Sequence, residues 1–506
     1  MATVVSFLSI FEFSRLNVQA SLVFFLAFLL ACLYLRWPRN LPPYPVGCVP
    51  VLGHILALGR APHLKLTGEW RQKYGDVLTI RIGMQDVVVL NGYAAVKDAM
   101  VDRSELFASR PPVYIPDLLT GFGKDIVGAR WGQEFKQRKR FSATVLKNLG
   151  MKVGKGSIEE KIQEEARCLC DKFAAYQGRA FDPECDLQVT IANVICSMVF
   201  GHRFEYDDER FRELAESIVL TQMNMVSLSG QLINVFPFLR FVPGLNNAVS
   251  DSVRRAEKIE RFIWEEISRH RENLDRENPR DFLDFGLIEV ERQDTVEGLT
   301  EEMVMYITQT LFVAGIDTVS TTLRWSLLYM ALNPDIQEKV HQELDDVVGD
   351  TLPSLSHRPL LPYTEATVME VQRVRTTVPL GIPHATTQQV KLGPFDVPAG
   401  TQVLANLYSL HMDPAYWPDP DRFDPGRFLD GKGNVISKPD SFMPFSGGRR
   451  VCLGEQLAKM ELILFFSSLM QNFTFKLPEG ASPVSTDGIL RISFTPHPHK
   501  LCAVPR

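Results

Sequence analysis

The residues best suited to chemistry lie near the C-terminus, in the segment F-S-G-G-R-R-V-C-L-G at positions 445–454. Its three glycines let the backbone approach a flat object closely, because glycine has no side chain in the way. Cys452 directly precedes an apolar, helix-like run, and Arg449 and Arg450 stand beside it. A helix N-terminus and neighbouring cations both favour a thiolate over a thiol. A thiolate beside a planar cofactor, with a cation for the carboxylates of that cofactor, is what haem iron ligation requires.

Two other interpretations of Cys452 stay open from these residues alone. A buried structural cysteine can also occupy a glycine-rich turn. A nucleophilic cysteine would need a histidine partner, and no sequence signature points to one.

A second group of chemically capable residues lies inside a long apolar helix. Thr300 is suited to cap its start and Asn333, followed by proline, ends it, so the sequence predicts thirty-two helical residues spanning about 48 Å. Gly315, Asp317 and Thr318 interrupt its apolar middle, where glycine costs about 1 kcal/mol against alanine and an unpaired carboxylate costs more. These residues indicate either a kink with capped polar groups, or a helix that opens beside a ligand and offers a carboxyl and a hydroxyl for proton transfer.

The rest of the chain favours one large body around these two segments. Its 506 residues are 45% hydrophobic and 23% charged, which excludes a disordered or collagen-like chain. A net charge of −6 argues against nucleic acid as a partner. The eight cysteines are scattered, which indicates a reduced, cytosol-facing protein. Helical periodicity dominates residues 130–350 and β-branched runs occur at 77–83 and 87–90, so a mostly α domain with a minor sheet is predicted.

The N-terminus has the composition of a membrane anchor. Twenty uncharged residues separate Arg15 from Arg36, enough for a helix of about 30 Å, the thickness of the bilayer core. Arg36 and Arg39 follow the run against a single arginine before it, so the positive-inside bias places the body in the cytosol. A cleaved signal peptide is the alternative, although no A-x-A site follows the run. Five prolines between residues 38 and 50 then predict a stiff, extended hinge.

Four motifs resemble those of the cytochromes P450, and the last of them along the chain is the segment around Cys452. The segment 445–454 matches the haem-binding signature F-x-x-G-x-R-x-C-x-G of that family at every fixed position. Ala314–Thr318 resembles the oxygen-activating motif of its long central helix, Glu370–Arg373 resembles its E-x-x-R motif, and Pro425–Phe428 resembles its third ion-network motif. The anchor, the hinge and the terminal CAVPR are similar to the animal microsomal family 2, with the two-U fatty-acid-hydroxylating branch as a neighbour.

This resemblance implies a fold and a cofactor. The fold is mainly α with minor β, arranged as an N-terminal region at 1–36 with a transmembrane anchor at about 16–35, a hinge at 37–50 and one haem domain at 51–506. The cofactor is haem b, with Cys452 as the proximal iron ligand and with Thr318 and Asp317 supporting dioxygen and proton delivery. The other residues implied in haem binding are Phe445, Gly448, Gly454, Arg450, His384 and Lys139.

Some of these assignments carry qualifications of their own. His384 is suited either to a propionate contact or to packing within its loop. Aligned on Phe141, the chain has Phe135 and Lys139 where the family usually has the tryptophan and arginine that touch the propionates. Lysine can neutralise a propionate as a point charge, without the fork geometry of arginine.

The resemblance also implies a structural ion network that is separate from the haem contacts. In it Glu370 pairs with Arg373 and with Arg427, and the loss of one partner would strand a buried charge at a cost of about 3–5 kcal/mol.

The implied activity is that of a monooxygenase, which inserts one oxygen atom of O2 into a C–H bond of a lipophilic substrate. A long-chain fatty acid is the first expectation and a xenobiotic or steroid the second. The substrate pocket is implied to receive side chains from Tyr114–Gly128, Leu220–Asn234 and Phe312–Val313. A peroxide isomerase that uses no dioxygen and a haem-binding sensor are the alternatives, and the intact pair of Asp317 and Thr318 argues against both.

Electrons must come from a separate protein. The chain has neither G-x-G-x-x-G after a strand nor G-x-x-x-x-G-K-[ST], so no nicotinamide or ATP site is predicted. The resemblance implies NADPH–cytochrome P450 reductase as the donor, with cytochrome b5 as a further one, at the endoplasmic reticulum membrane. The basic cluster Lys136, Arg138, Lys139 and Arg140 is either a docking surface for an acidic partner or a solvated helix face.

Overall fold

The computed structural model describes residues 19–28, 40–150, 157–435 and 439–506. Within these ranges the chain is mainly helical with a small β component, which confirms the predicted fold class. The α-helices are α1 (Gln19–Phe28), α2 (Ile55–Leu58), α3 (Pro62–Lys65), α4 (Arg71–Tyr74), α5 (Gly92–Lys97), α6 (Tyr114–Leu119), α7 (Gln133–Gly150), α8 (Ile158–Ala175), α9 (Glu184–Val199), α10 (Glu209–Val226), α11 (Leu228–Val235), α12 (Asn247–Glu272), α13 (Phe282–Arg292), α14 (Glu301–Leu332), α15 (Pro334–Val347), α16 (Pro362–Val374), α17 (Leu407–His411) and α18 (Glu455–Asn472).

The strands are short and form one sheet of four strands and three pairs. They are β1 (Val77–Ile82), β2 (Gln85–Leu90), β3 (His384–Ala385), β4 (Val390–Leu392), β5 (Phe395–Val397), β6 (Gln402–Ala405), β7 (Phe473–Lys476), β8 (Ile489–Leu490), β9 (Phe494–Thr495) and β10 (Cys502–Pro505). The four-stranded sheet has the order β1–β2–β6–β3, in which β1 and β2 form an antiparallel hairpin and β6 runs parallel to β2. Both predicted β-branched runs therefore lie in this sheet.

Helix α14 forms the centre of the body and has the predicted bounds. The Thr300 hydroxyl accepts a hydrogen bond from the Met303 N–H at 3.3 Å, and the helix ends at Asn333 before a proline. Apolar residues cover all sides of the helix because it packs against α9, α12 and α18 within one large hydrophobic core.

The helical path of α14 is unbroken across Gly315. A Cβ at this position would lie 2.6 Å from Cδ1 of Ile195, which belongs to α9. The glycine therefore allows two core helices to approach closely without an interruption of α14.

The predicted membrane anchor contains one described apolar helix, α1. Of the described residues, α14 forms the one helix long and apolar enough to cross a membrane, and more than half of its most apolar window is buried in the body. The predicted anchor at 16–35 is described only over α1, which is helical, apolar and exposed. Its other residues, together with Pro38 of the hinge, lie outside the described residues. The described part of the hinge, residues 40–50, contains no helix.

Candidate active site

The predicted cysteine lies in a tight loop that joins a short 3-10 turn to α18. The Cys452 N–H donates a hydrogen bond to the Phe445 carbonyl at 3.1 Å, which folds the segment back on itself. Gly448, in the 3-10 turn, has φ +68°, and a Cβ there would lie 1.8 Å from the Met100 carbonyl oxygen. Only glycine fits this position, so the loop packs directly against the segment 98–107.

The sulfur of Cys452 faces opposing influences on its protonation. The residue as a whole has exposed surface, but protein atoms surround its sulfur. Burial is therefore the largest influence on the thiol and raises its pKa. The Gly454 N–H, Lys139 and Lys459 act in the opposite direction. An iron ion would settle the balance, because coordination deprotonates a thiol outright.

The two arginines that precede the cysteine are engaged elsewhere. Arg449 pairs with Glu105 at 2.9 Å on the surface. Arg450 donates hydrogen bonds to loop carbonyls, among them that of Ala108 at 2.7 Å, and its guanidinium carbon lies 3.6 Å from the ring centroid of Phe135. The cations that act most on the Cys452 thiol are therefore the lysines Lys139 and Lys459.

A second guanidinium, that of Arg110, lies close enough to Arg450 to lower its pKa. Arg110 donates to the carbonyls of Val127 at 2.9 Å and Pro383 at 2.7 Å. Burial lowers the pKa of Arg110 to about 10, and burial together with Arg110 lowers the pKa of Arg450 to about 9. Among the described residues, Asp125 is the carboxylate that raises the pKa of both arginines. Backbone N–H groups of its own loop already bind this carboxylate. This surplus of poorly solvated positive charge fits a ligand with two carboxylates, such as haem.

His384 lies beside these cations because Ser109 and Ala385 form an isolated β-bridge. Its Nδ1 lies 2.8 Å from the Phe107 carbonyl, which can only accept, so Nδ1 carries the proton. Burial, followed by Arg110, lowers the pKa of His384 to about 3, so the ring is neutral at pH 7. In this neutral tautomer Nε2 carries a lone pair and no proton, so it cannot donate a hydrogen bond to a propionate. Such a bond would require the protonated ring, and a nearby carboxylate would favour that protonation.

Lys139 and Phe135 lie on one face of α7, beside the cysteine loop. Lys139 Nζ donates to the Arg449 carbonyl at 2.5 Å, and burial, followed by Arg450, lowers the pKa of the lysine. Phe135 is buried and provides the ring that supports Arg450. The unusual pair therefore touches the loop that holds Cys452, and Lys139 adds to the surplus of positive charge.

The acid and the alcohol of α14 have different partners. Asp317 is buried and accepts a hydrogen bond from the Ser493 hydroxyl, and burial raises the pKa of its carboxyl. The Thr318 hydroxyl donates to the Ala314 carbonyl at 2.9 Å. Ala314 is exposed within a stretch of α14 that is otherwise largely buried, so the hydroxyl of Thr318 lies beside an accessible patch inside the body.

Sequence reasoning missed the residues that hold Asp317 and those that complete the cation cluster. The Ser493 hydroxyl and Gln222 each lower the pKa of the Asp317 carboxyl by hydrogen bonding, and Arg491 lowers it by its charge. Ser493 and Arg491 lie in the turn around β8 and β9, and no local pattern marks that turn as a partner of α14. The sequence around Arg110 predicts no role for its side chain.

The predicted ion network is brought together around α16. Arg373 holds Glu370 through two hydrogen bonds of 2.7 Å, and neither side chain has exposed surface. Arg427 Nε lies 3.4 Å from the same carboxylate, and the Asp424 N–H donates to it at 2.9 Å. The guanidinium of Arg373 also lies 5.3 Å from the ring centroid of Trp417, so the network joins α16 to the loop before the cysteine segment.

The basic cluster on α7 divides into two groups. Lys136 and Arg140 are exposed, and Lys136 Nζ lies 4.7 Å from the ring centroid of Trp131. Arg138 is buried, and it donates to the carbonyls of three consecutive residues, 123–125. For Arg138 both predicted alternatives, a docking surface and a solvated helix face, are therefore wrong, because this residue is buried and ties α7 to the preceding loop.

The predicted substrate segments come together on one side of α14. Ile115, Ile233 and Val249 form a small apolar cluster that joins α6, α11 and α12. The Ile115 N–H donates to Asn234 Oδ1 at 2.8 Å, which fixes α6 against α11. Phe312 is fully buried in α14, whereas Val313 is partly exposed.

The chain is similar to known proteins over most of its length. The sequence profile of the family described as Cytochrome P450 matches residues 42–503. The chain is 41% identical over 481 residues to a protein named Cytochrome P450 2D6 from Pan troglodytes, covering 93% of this chain and 95% of that one. It is also 41% identical over 456 residues to Cytochrome P450 2U1 from Bos taurus, covering 89% and 82%. The human Cytochrome P450 2U1 is 41% identical over 438 residues, covering 85% and 78%.

Proposed function

We propose that the substrates of this protein are long-chain fatty acids. The chain belongs to the cytochrome P450 family and is a haem monooxygenase of the animal family 2 type. Xenobiotics or steroids are the second candidate class. The apolar cluster that α6, α11 and α12 form, together with the apolar surface of α14, supports a lipophilic substrate. The preference for a fatty acid rests on the resemblance to the two-U branch.

The observation that carries the catalytic proposal is a buried carboxyl, Asp317, directly followed by a hydroxyl, Thr318, in the middle of α14. When bound, haem b supplies the oxygen-activating chemistry, and Cys452 is the residue that would hold its iron. Burial keeps the Asp317 carboxyl protonated to a higher pH than usual, so Asp317 can hold a proton and give it up. The Thr318 hydroxyl can accept a proton while it donates its own, which makes it a suitable relay.

The reducing electrons would enter from the side of the cysteine loop. Lys136 and Arg140 lie on the exposed face of α7, and Lys139 on the same helix contacts that loop directly. Two exposed cations next to the loop suit an acidic flavoprotein, and we assign this role to NADPH–cytochrome P450 reductase, with cytochrome b5 as a second donor. The apolar α1 suits an anchor in the endoplasmic reticulum membrane, which would keep both proteins on one surface.

Cys452 is tested by the ferrous–carbon monoxide difference spectrum of the membrane fraction. The wild type is expected to show a strongly red-shifted Soret band, and Cys452→Ser is expected to lose it, because the serine oxygen donates less electron density to iron. Cys185→Ser, at a half-buried cysteine of α9, serves as the matched control and should keep the band. A wild-type haem spectrum without the shift would show that Cys452 is not a thiolate ligand.

The reaction class is tested with the purified protein, reductase, NADPH and palmitate. Hydroxylated palmitate is expected only when reductase, NADPH and O2 are all present. Conversion of a lipid peroxide without reductase would identify a peroxide isomerase instead. Haem binding without turnover of any lipid would identify a sensor.

Reversing both exposed charges of α7, with Lys136→Glu and Arg140→Glu, is expected to weaken reductase docking. The reductase concentration for half-maximal turnover should rise about tenfold at low ionic strength and by much less at high salt, because rim charges act mainly on association. A titration of reductase at two salt concentrations measures this. Arg254→Glu reverses an exposed cation on α12 and should have no effect. An unchanged half-saturation in the double variant would place docking elsewhere.

A further inference from the structure

A surface pocket of about 360 Å³ lies between α6, α12 and the 3-10 turn Pro237–Phe241. Its volume falls within the range of about 300–1,000 Å³ that small-molecule sites occupy. Apolar side chains form most of its wall, among them Leu118, Val249 and Val253. The one charged residue of the lining is Arg240.

The guanidinium of Arg240 is held by rings and not by acids. Its central carbon lies 5.0 Å from the ring centroid of Tyr114 and 4.6 Å from that of Phe241. In the part of the chain that the structure describes, no carboxylate pairs with Arg240 and no acceptor binds its N–H groups. Contact with two aromatic rings restricts the rotamers of the side chain, so the guanidinium is held in place beside the pocket.

The acids nearest in sequence to the pocket are already bound. Asp117 of α6 accepts a hydrogen bond from the Val113 N–H at 3.2 Å. Asp251 of α12 is bound by Arg255 at 2.8 Å and by Asn224 at 3.0 Å. The pocket therefore combines an apolar wall with an unneutralised cation, and the ligand that complements both is an amphipathic anion.

We propose that this pocket binds a long-chain fatty acid as the ionised carboxylate, with Arg240 as the residue that recognises the carboxylate. The proposal rests on the proposed function and makes its substrate class specific. The guanidinium fork matches a carboxylate through two parallel hydrogen bonds, and the apolar wall takes the first methylenes of the chain. A cationic xenobiotic would be repelled here, and a neutral steroid would gain nothing from the charge.

The position of the pocket makes it an access site for the same substrate. Tyr114 and Leu118 belong to the segment that is predicted to line the substrate cavity, and α6 packs on α11 through Ile115 and Ile233. A fatty acid held by Arg240 would therefore lie against the segment that is predicted to line the substrate cavity. Arg240 acts on binding and leaves the oxygen chemistry unchanged.

The binding step is tested by photolabelling of the full-length haem-loaded protein in phosphatidylcholine vesicles. A palmitic acid with a diazirine on its chain is expected to label peptides that contain 114–119 or 247–253, and free palmitate should compete. Arg240→Gln should reduce this labelling about tenfold or more, Arg240→Lys should keep most of it, and Arg254→Gln should leave it intact. Labelling confined to other peptides, or competition by phosphatidylserine vesicles but not by palmitate, would overturn the proposal.

Kinetics provide the second readout and separate this proposal from the proposed function. For palmitate, Arg240→Gln should raise KM about tenfold with kcat within twofold, whereas the KM for methyl palmitate should not change. An equal effect on the acid and the ester would overturn the role of Arg240. Palmitate oxidation without labelling at the pocket would retain the proposed function and reject this site. Labelling at the pocket without palmitate oxidation would retain the site and reject the substrate.

Discussion

Replacement of Glu370 by glutamine is expected to destabilise the folded protein by about 3–5 kcal/mol. The variant keeps the shape of the side chain but leaves the guanidinium of Arg373 buried without a counter-charge. It also weakens the contact with Arg427 and the hydrogen bond from the Asp424 N–H. Because these contacts join α16 to the loop before the cysteine segment, the haem site should loosen together with the fold.

The loss is measured as the shift in the urea midpoint of unfolding and as the fraction of protein that retains haem. Glu291→Gln is the matched control, because Arg276 holds Glu291 through two hydrogen bonds of 2.7 and 2.8 Å in a comparable bidentate geometry on the surface. That variant is expected to unfold at the wild-type midpoint, since water screens exposed pairs. Equal midpoints for both variants would show that burial of the Glu370 pair contributes nothing to stability.

The network at Glu370 belongs to the part of the structure that sequence could predict. A spacing of three residues places Glu370 and Arg373 on one face of α16 wherever that helix lies. The bounds of α14 were likewise predictable, because the cap at Thr300 and the proline after Asn333 act locally. Local signals of this kind do not depend on how the rest of the chain folds.

The features that sequence could not predict depend on contacts between distant segments. Arg110 joins the cation cluster because Ser109 pairs with Ala385, across 276 positions of the chain. Ser493 reaches Asp317 across 176 positions of the chain. Arg138 looks like a surface cation on α7, but the preceding loop folds over it and supplies three carbonyls. The residue types were readable in each case, whereas tertiary packing decided the burial and the partners of these residues.

Replacement of Asp317 by asparagine is expected to lower the rate of product formation about 100-fold. Asparagine keeps the size of the side chain and can still accept a hydrogen bond from Ser493, but it cannot hold and release a proton. Rates with reductase and palmitate, together with the ratio of product to NADPH consumed, measure the loss. Asp186→Asn is the matched control. It removes another buried carboxyl, on α9, which accepts a hydrogen bond from the Tyr176 hydroxyl at 2.8 Å, and it should leave the ratio unchanged.

The role of Ser493 is visible in the pH dependence of the same rate. Burial raises the pKa of Asp317 and the hydroxyl of Ser493 lowers it, so Ser493→Ala should raise that pKa further. A carboxyl that acts as an acid loses its proton as pH rises through its pKa, so the rate should fall on the alkaline side. This alkaline fall in rate should move to higher pH in Ser493→Ala and return to its wild-type position in Ser493→Thr. It should be absent in Asp317→Asn. An alkaline fall that persists unchanged in Asp317→Asn would assign the proton to another group.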